Sequence, residues 1–382
     1  LGLVHLEQRA LEQSEQALVQ AARGLQAAGL ASDEAAALAA LGYVAMLGQR
    51  WDRATELIGQ ALPKLQETGN LRQLARALVC LGSVHQKGCG WAEAAQHYEA
   101  ALAISERLGH LMGCATALVN LSQLHASSGL LEAAIAGAED AAALLPGDHR
   151  VCCHAMTRLA RAQYALGDLP AAWQSALTVI ELAEASGLEV LLESGHRTLG
   201  EIAALRCQWF AAREHLRTAL TLCEERHWKE RHALGTARLA EVMMSSGERP
   251  AAYDLACAAR AEAEASSHEP VLAVAQTVRG KILLAMGRAD EALAELSAAS
   301  SFFERVRVWD EIAEVSLLLA LSHMRLGRPR FAMLHLRTAL DNVERVASHL
   351  LRPGNRAVFL ADPRRQALFD AASALNAQVA ES

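Results

Sequence analysis

Small and apolar residues return along this chain at a fixed long interval. The clearest instance opens at Leu81-Gly82-Ser83-Val84-His85, with the aromatic Trp91 nine residues after Gly82, Ala94 twelve after it, the bulky Tyr98 sixteen after it and Ala101 nineteen after it. With the small residue as a phase marker, the pattern falls at Gly2, Gly42, Gly82, Ser122, Ala160, Gly200, Ala240, Gly280 and Ala320, every interval being 40 residues except one of 38. Leu precedes the marker everywhere but at Arg279. Twelve residues on stands Ala at 54, 94, 134, 172, 212, 252, 292 and 332, with Ser14 in the first copy; nineteen on stands Ala in every copy but one, which has Val179. Self-similarity at a fixed period is the signature of a stack of repeated units.

The spacings predict two helices per unit. Leu and the small marker lie on a first helix, where a small side chain lets a second helix approach closely. Turn residues follow, as in Gly129-Leu130, Gly167-Asp168, Gly247-Glu248 and Gly287-Arg288. The two alanines, seven apart, share one face of the second helix. Pro170, Pro250 and Pro329 stand at the first turn of second helices, where a missing N–H costs nothing. A helix pair of this kind cannot bury its apolar face alone and must stack. The expected fold is an all-α solenoid, a right-handed superhelix of antiparallel helix pairs. Residues 1–344 form nine repeats, the first truncated, and 345–382 a degenerate repeat of capping helices. In that last part Arg352-Pro353-Gly354 breaks the helix, an apolar segment runs from Ala357 to Leu360, and Asp362-Pro363 starts a final helix. That helix carries Leu368, Ala371, Ala372 and Leu375 on one side, with Arg364, Arg365, Asp370 and Gln378 elsewhere. The shortened interval falls at Pro146-Gly147, and either bends the stack or is a neutral deletion. Because Leu1-Gly2 already stands at the marker, the first helix lacks its opening half; the expectation is a polypeptide that continues upstream.

Leu81, Gly82, Trp91, Ala94, Tyr98 and Ala101 match the Leu-Gly, Ala and aromatic positions of the tetratricopeptide repeat, which this chain resembles over essentially its whole length. Two features depart from that family: a period of 40 residues where the standard one is about 34, and the near absence of the Pro after the second helix. The Trp of the first position is also missing from every copy. Longer helices of this kind resemble the repeats of MalT-type regulators, kinesin light chain and sensor arrays attached to nucleotide-switch ATPases.

Composition agrees with an Ala- and Leu-rich helical stack: 52% of the 382 residues are hydrophobic and only 4% aromatic. The net charge of −7 argues against broad nucleic-acid binding by this region. No apolar run is long enough for a membrane span. The eight cysteines include no Cys-x-x-Cys pair and read as small core fillers of a reduced, cytoplasmic protein. Cys152-Cys153-His154 resembles a metal site only at a glance, since neighbouring residues on a helix point about 100° apart. No phosphate-binding loop, zinc-protease motif, nucleophile elbow or kinase signature is present. No catalytic residue, metal or cofactor is expected.

What remains is the groove. In tetratricopeptide arrays the inner surface is built mainly from first-helix residues three before, one after and four after the marker. Carried onto this chain, those positions give Ala39, Tyr43, Met46, Val79, Ser83 and Gln86 early. In the middle they give Val119, Gln123, Thr157, Arg161, Tyr164, Arg197 and Glu201, and late they give Ala237, Glu241, Met244, Thr277, Lys281, Leu317, Leu321 and Met324. The ends are apolar and the middle polar, with Arg158, Arg161, Arg197 and Arg238 in register. One reading makes this a groove whose basic centre holds a carboxylate through bidentate arginine. The candidate contacts are then Tyr43, Met46, Arg158, Arg161, Tyr164, Arg197, Glu201, Arg238, Lys281 and Met324, and charge reversal at Arg161 and Arg197 abolishes binding without unfolding. The other pairs these arginines with Glu193, Glu201 and Glu241 as solvated helix faces, and places Tyr43, Met46 and Met324 in the core.

By resemblance, the functional expectation is a non-catalytic, cytoplasmic interaction and regulatory module. It would be the C-terminal sensor or scaffold arm of a larger bacterial signalling or transcription regulator. Its partner is a protein or peptide, either a separate molecule or another domain of the same polypeptide, with no direct contact to nucleic acid or membrane. The alternative is a peptide or small-molecule sensor that switches an attached effector.

Overall fold

A computed structural model describes residues 11–48 and 50–380, with side chains through residue 375. The first marker, Leu1-Gly2, and the side chain of Gln378 lie outside the described residues. Every element within them is a helix. In chain order these are α1 (Leu11–Ala27), α2 (Ala31–Leu47), α3 (Trp51–Glu67), α4 (Leu71–Lys87), α5 (Trp91–Arg107), α6 (Leu111–Ser127) and α7 (Leu131–Leu144). There follow α8 (His149–Leu166), α9 (Leu169–Ser186), α10 (Glu189–Leu205), α11 (Trp209–Arg226), α12 (Lys229–Ser245) and α13 (Arg249–Ala265). The last are α14 (Glu269–Ala285), α15 (Ala289–Val306), α16 (Trp309–Arg325), α17 (Pro329–Ser348), α18 (Pro353–Ala361) and α19 (Pro363–Ala380). The fold is an all-α solenoid in which even-numbered helices through α16 carry the markers, and α2, α4, α8, α10, α12, α14 and α16 each pack on the odd-numbered helix that follows. The segment around 357–360, which the sequence suggests only as an apolar stretch, belongs to the helix α18; Pro353 opens it, a residue whose fixed φ suits a first helical position.

The chain divides into two compact units, one of residues 1–124 with 140–146, the other of residues 125–139 with 147–382. The 38-residue interval falls at this division: α7 is 14 residues long where α5 has 17.

The repeat pattern has a direct cause in packing. All eight alanines twelve residues after a marker, from Ala54 to Ala332, are 0% exposed. At the glycine markers there is no room for a side chain. A Cβ on Gly82 would stand 2.6 Å from the ring of Tyr98, on Gly200 2.7 Å from Leu216 Cγ, and on Gly280 2.6 Å from Leu296 Cγ. Each of these partners lies sixteen residues after its marker and is fully buried. Where the marker carries a side chain, as at Ser122, Ala160 and Ala240, the residue sixteen on is a buried alanine: Ala138, Ala176 and Ala256. Ala320 with Leu336 is the one pair that departs from this exchange of volume.

Most turns between helices contain a left-handed residue. Gly167, with φ of 90°, caps α8 and donates its N–H to the carbonyls of Gln163 and Tyr164. Asp148, Asp168 and Asn70 accept backbone N–H groups at the starts of α8, α9 and α4.

Within the second unit the last helices return to the first ones. Leu131 of α7 and Leu166 of α8 share one core with Val346, Phe359, Leu368 and Leu375. Polar contacts lock this closure. Glu132 accepts from the backbone N–H of Leu351 (3.2 Å) and Arg352 (3.0 Å) and from Asn355 Nδ2 (2.9 Å). At the other end, Arg364 and Arg365 donate to the carbonyls of Tyr164 (2.7 Å) and Ala165 (3.0 Å) in the last turn of α8, where cations are favoured. Arg365 is buried, lies over the Phe359 ring, and donates to both oxygens of Asp310 at 2.6 and 2.7 Å.

Two outcomes follow for the folded state. Gly200→Ala forces a methyl into Leu216 and costs roughly 1–3 kcal/mol, and Leu216→Ala costs roughly 2–5 kcal/mol through a cavity. The double variant recreates the Ala160/Ala176 arrangement, so its urea midpoint should fall by less than the two single losses added together; simple additivity would refute the close-approach explanation. Arg365→Ala removes the guanidinium from Asp310 and from the Ala165 carbonyl, at a cost of roughly 3 kcal/mol. Hydrogen exchange should then accelerate in α18, α19 and the last turn of α8 while α12 and α13 stay protected; unchanged exchange in α18 and α19 would show that the guanidinium does not hold the closure.

Candidate functional site

The repeat of 40 residues places Arg161, Glu201, Glu241 and Lys281 at one position, the residue after the marker, on α8, α10, α12 and α14 of the second unit. Their side chains join into a ladder. Arg161 donates to Glu201 Oε2. The other oxygen of Glu201 accepts from Arg197 Nη1 at 3.2 Å and lies 3.5 Å from Arg238 Nε. Arg238 Nη1 reaches Glu241 at 3.2 Å, and Lys281 Nζ bridges Glu241 at 2.5 Å and Glu314 at 3.1 Å. Arg197 is also held by Glu193 at 3.0 Å, and the fully buried Glu193 receives Arg231 at 2.6 Å. Cations and carboxylates alternate along the ladder, so each buried charge faces its opposite, as burial demands.

Protonation follows from this arrangement. Burial opposes the ionised form of Glu201, but Arg161, Arg238 and Arg197 outweigh it and hold the pKa near 2. Glu241 is likewise held at about 2, by Lys281 and Arg238 against burial. Glu311 behaves oppositely: burial, then the neighbouring Glu314, push its carboxyl up to about 7 against the pull of Arg238 and Arg161. Its side chain has no hydrogen bond or ion pair among the described residues.

The structure thus brings together six of the residues singled out from the sequence: Arg161, Tyr164, Arg197, Glu201, Arg238 and Lys281. Arg158 lies on α8, one turn before Arg161. The guanidiniums of Arg161 and Arg364 lie over the Tyr164 ring, 5.3 and 4.5 Å from its centroid. Tyr164 borders a cavity of about 150 Å³ that is also lined by Trp209, Arg238 and Lys281. Tyr43, Met46 and Met324 lie elsewhere. Met46 packs against the core around Leu41 and Val44, and Met324 against the core that holds Phe359.

Tyr43 lines a separate trough in the first unit. About 700 Å³ in volume, it runs across α2, α4 and α6 and is walled by Ala36, Ala40, Arg72, Arg76, Val79 and Thr116, among others. No lining residue is acidic. Ser105, with its hydroxyl buried and unpartnered among the described residues, also lines it. The sequence reading reached Ala39, Tyr43 and Val79 but not Arg72, Arg76, Met112 or Thr116. The signal existed: Ala36, Arg76 and Thr116 each stand six residues before a marker, one helical turn beyond the position three before it.

Burial pushes the thiols of Cys80 and Cys153 up to about 11 and that of Cys223 to about 12, so they stay protonated. Among the described residues no His, Cys, Asp and Glu cluster could hold a metal ion, and no helix is long and apolar enough to cross a membrane.

The comparisons with known proteins agree with this geometry. The tetratricopeptide repeat family model matches residues 73–147. No curated protein matches the chain. Among solved structures, a Rap protein complexed with competence and sporulation factor is similar at a TM-score of 0.65 and 13% identity, covering 91% of this chain and 99% of its own. The Rap conjugation gene regulator of plasmid pLS20, in complex with the Phr* peptide, is similar at 0.59 and 12%, covering 76% and 80%. A signal transduction ATPase with numerous domains and a tetratricopeptide repeat sensor, from Pyrococcus horikoshii, is similar at 0.51 and 14%, over 86% of this chain and 53% of that one. Residues 73–147 thus match the tetratricopeptide repeat family, and the chain shares the fold of these solved structures.

One expectation needs correction. Charge reversal at Arg197 is not neutral to the fold, because a glutamate there would stand between Glu193 and Glu201 in a buried position. Glu311 supplies a cleaner probe of the ladder. Its folded-state pKa lies above the ordinary 4.5, so well below that value the carboxyl is neutral in both states; the destabilisation accrues as pH rises from about 4.5 to about 7 and is fully present above that. Glu311→Gln should therefore raise the denaturation midpoint at about pH 8 and leave it unchanged near pH 4. Equal shifts at both values would mean that ionisation of Glu311 carries no cost.

Proposed function

We propose that this chain is a non-catalytic regulatory domain that binds a peptide or a segment of another protein in the trough across α2, α4 and α6. The observation that carries the reading is the trough itself: 700 Å³ falls within the range of roughly 300–1,000 Å³ that holds small ligands and side-chain anchors, whereas the 150 Å³ cavity beside Tyr164 does not. The ladder residues of the second unit are saturated by one another, which suits them to fixing the spacing of α8 to α16. The likeness to Rap structures solved with a factor or peptide bound supports a peptide or protein as the ligand class. The likeness to a signal transduction ATPase with a tetratricopeptide repeat sensor supports a setting in which this domain is the sensor arm of a larger signalling regulator.

Thr116 is exposed on the trough wall, so Thr116→Trp fills the space without removing a charge or a core contact. Affinity capture from native lysate with wild type and Thr116→Trp, reading both proteins and small molecules by mass spectrometry, tests the reading. The expected result is a protein or peptide retained by wild type and lost by the variant. A protein held equally by both baits would remove the trough from the account. Retention of metabolites alone, again lost by the variant, would make the domain a small-molecule sensor instead.

A further inference from the structure

Arg72 and Arg76 stand one turn apart on α4, both exposed and both on the trough. Arg72 has no hydrogen bond or ion pair among the described residues, and Arg76 makes only a long contact with the neutral Gln73, 3.5 Å. This is unlike the second unit, where Arg161, Arg197, Arg238 and Lys281 each face a carboxylate. The remaining lining is largely apolar or small: Ala36, Ala40, Tyr43, Val79 and Met112. Two uncompensated guanidiniums over an apolar floor complement a ligand that is apolar along its length and carries carboxylates on one edge.

Resting on the reading of the trough as a peptide groove, we infer that its ligand is an acidic amphipathic segment. Leucine-, methionine- or phenylalanine-like side chains would lie against Val79, Tyr43 and Met112, and aspartate or glutamate carboxylates would pair with Arg72 and Arg76. The arginine fork favours carboxylates over neutral amides because it donates two N–H groups to one group in a charge-assisted pair. The site is solvent-exposed, so the charge contribution acts on selectivity and is weakened by salt.

Panning a phage-displayed random peptide library on the whole chain tests this, followed by fluorescence titration of the selected peptides. The variants are Arg72→Glu/Arg76→Glu, whose exposed positions leave the core untouched, and Thr116→Trp. The expected outcome is enrichment of peptides that combine apolar residues with Asp or Glu. Their affinity should fall roughly tenfold or more in the double variant; on the wild type it should also fall when Glu is replaced by Gln in the peptide, and weaken as salt rises. Selected peptides that lack acidic residues, or acidic ones that bind the double variant undiminished, overturn the inference; if Thr116→Trp still abolishes their binding, the peptide groove itself stands. Peptides indifferent to Thr116→Trp as well overturn both. Circular dichroism of each variant against wild type confirms that a loss reflects binding.

Discussion

The structure depends on how closely a first helix and the helix after it approach at one point. That point is the marker, and the space there is fixed: glycine against Tyr98, Leu216 or Leu296, or alanine and serine against a second alanine. Interiors packed like organic crystals tolerate neither an extra methyl nor a missing one without cost. The exchange of volume between the two positions keeps this contact filled in most repeats while the residues differ. Repetition of the contact lets each repeat stack on the next, and the stack sets the positions from which any groove is built.

The same regularity makes the charged ladder possible. Positions 40 residues apart fall side by side, so Arg161, Glu201, Glu241 and Lys281 form a row on neighbouring helices without any local sequence signal linking them. A row of like charge would be costly in a buried setting; alternation, with Arg197 and Arg238 interleaved, leaves each carboxylate between two or more cations. Glu201 and Glu241 are held ionised, and the unpaired Glu311 carries the burial cost that the others offset.

Much of the fold was legible in the sequence because its cause is periodic. The marker, the alanines at twelve and nineteen and the Gly-containing turns each report a packing contact that recurs in every unit, and their phase could be counted. The return of α18 and α19 onto α7 and α8 was not legible. It rests on contacts such as Glu132 with Arg352 and Arg365 with Ala165, which occur once and are separated by about 200 residues in the chain. The site was legible in part. The arginine row was visible from register, but register alone does not tell which side chains neutralise which, and Glu314, which completes the pairing of Lys281, lay outside the positions considered. Arg72 and Arg76 were missed because the inner face was followed only from three residues before the marker onward, whereas the trough extends along the opening turns of α4 and α6.

The contrast between the two units then bears on where a ligand binds. At the residue after the marker, the first unit has the neutral Tyr43, Ser83 and Gln123, and the second has the charged row. A ligand carboxylate that approached Arg161 or Arg238 would have to displace Glu201 or Glu241 from pairs already formed and partly desolvated, gaining one ion pair for each that it broke. It would also leave the displaced carboxylate uncompensated, which is the costly half of such an exchange. A carboxylate that approached Arg72 displaces only water. Equal charges therefore differ in availability, and it is availability, set by the neighbours each repeat supplies, that singles out the trough of the first unit.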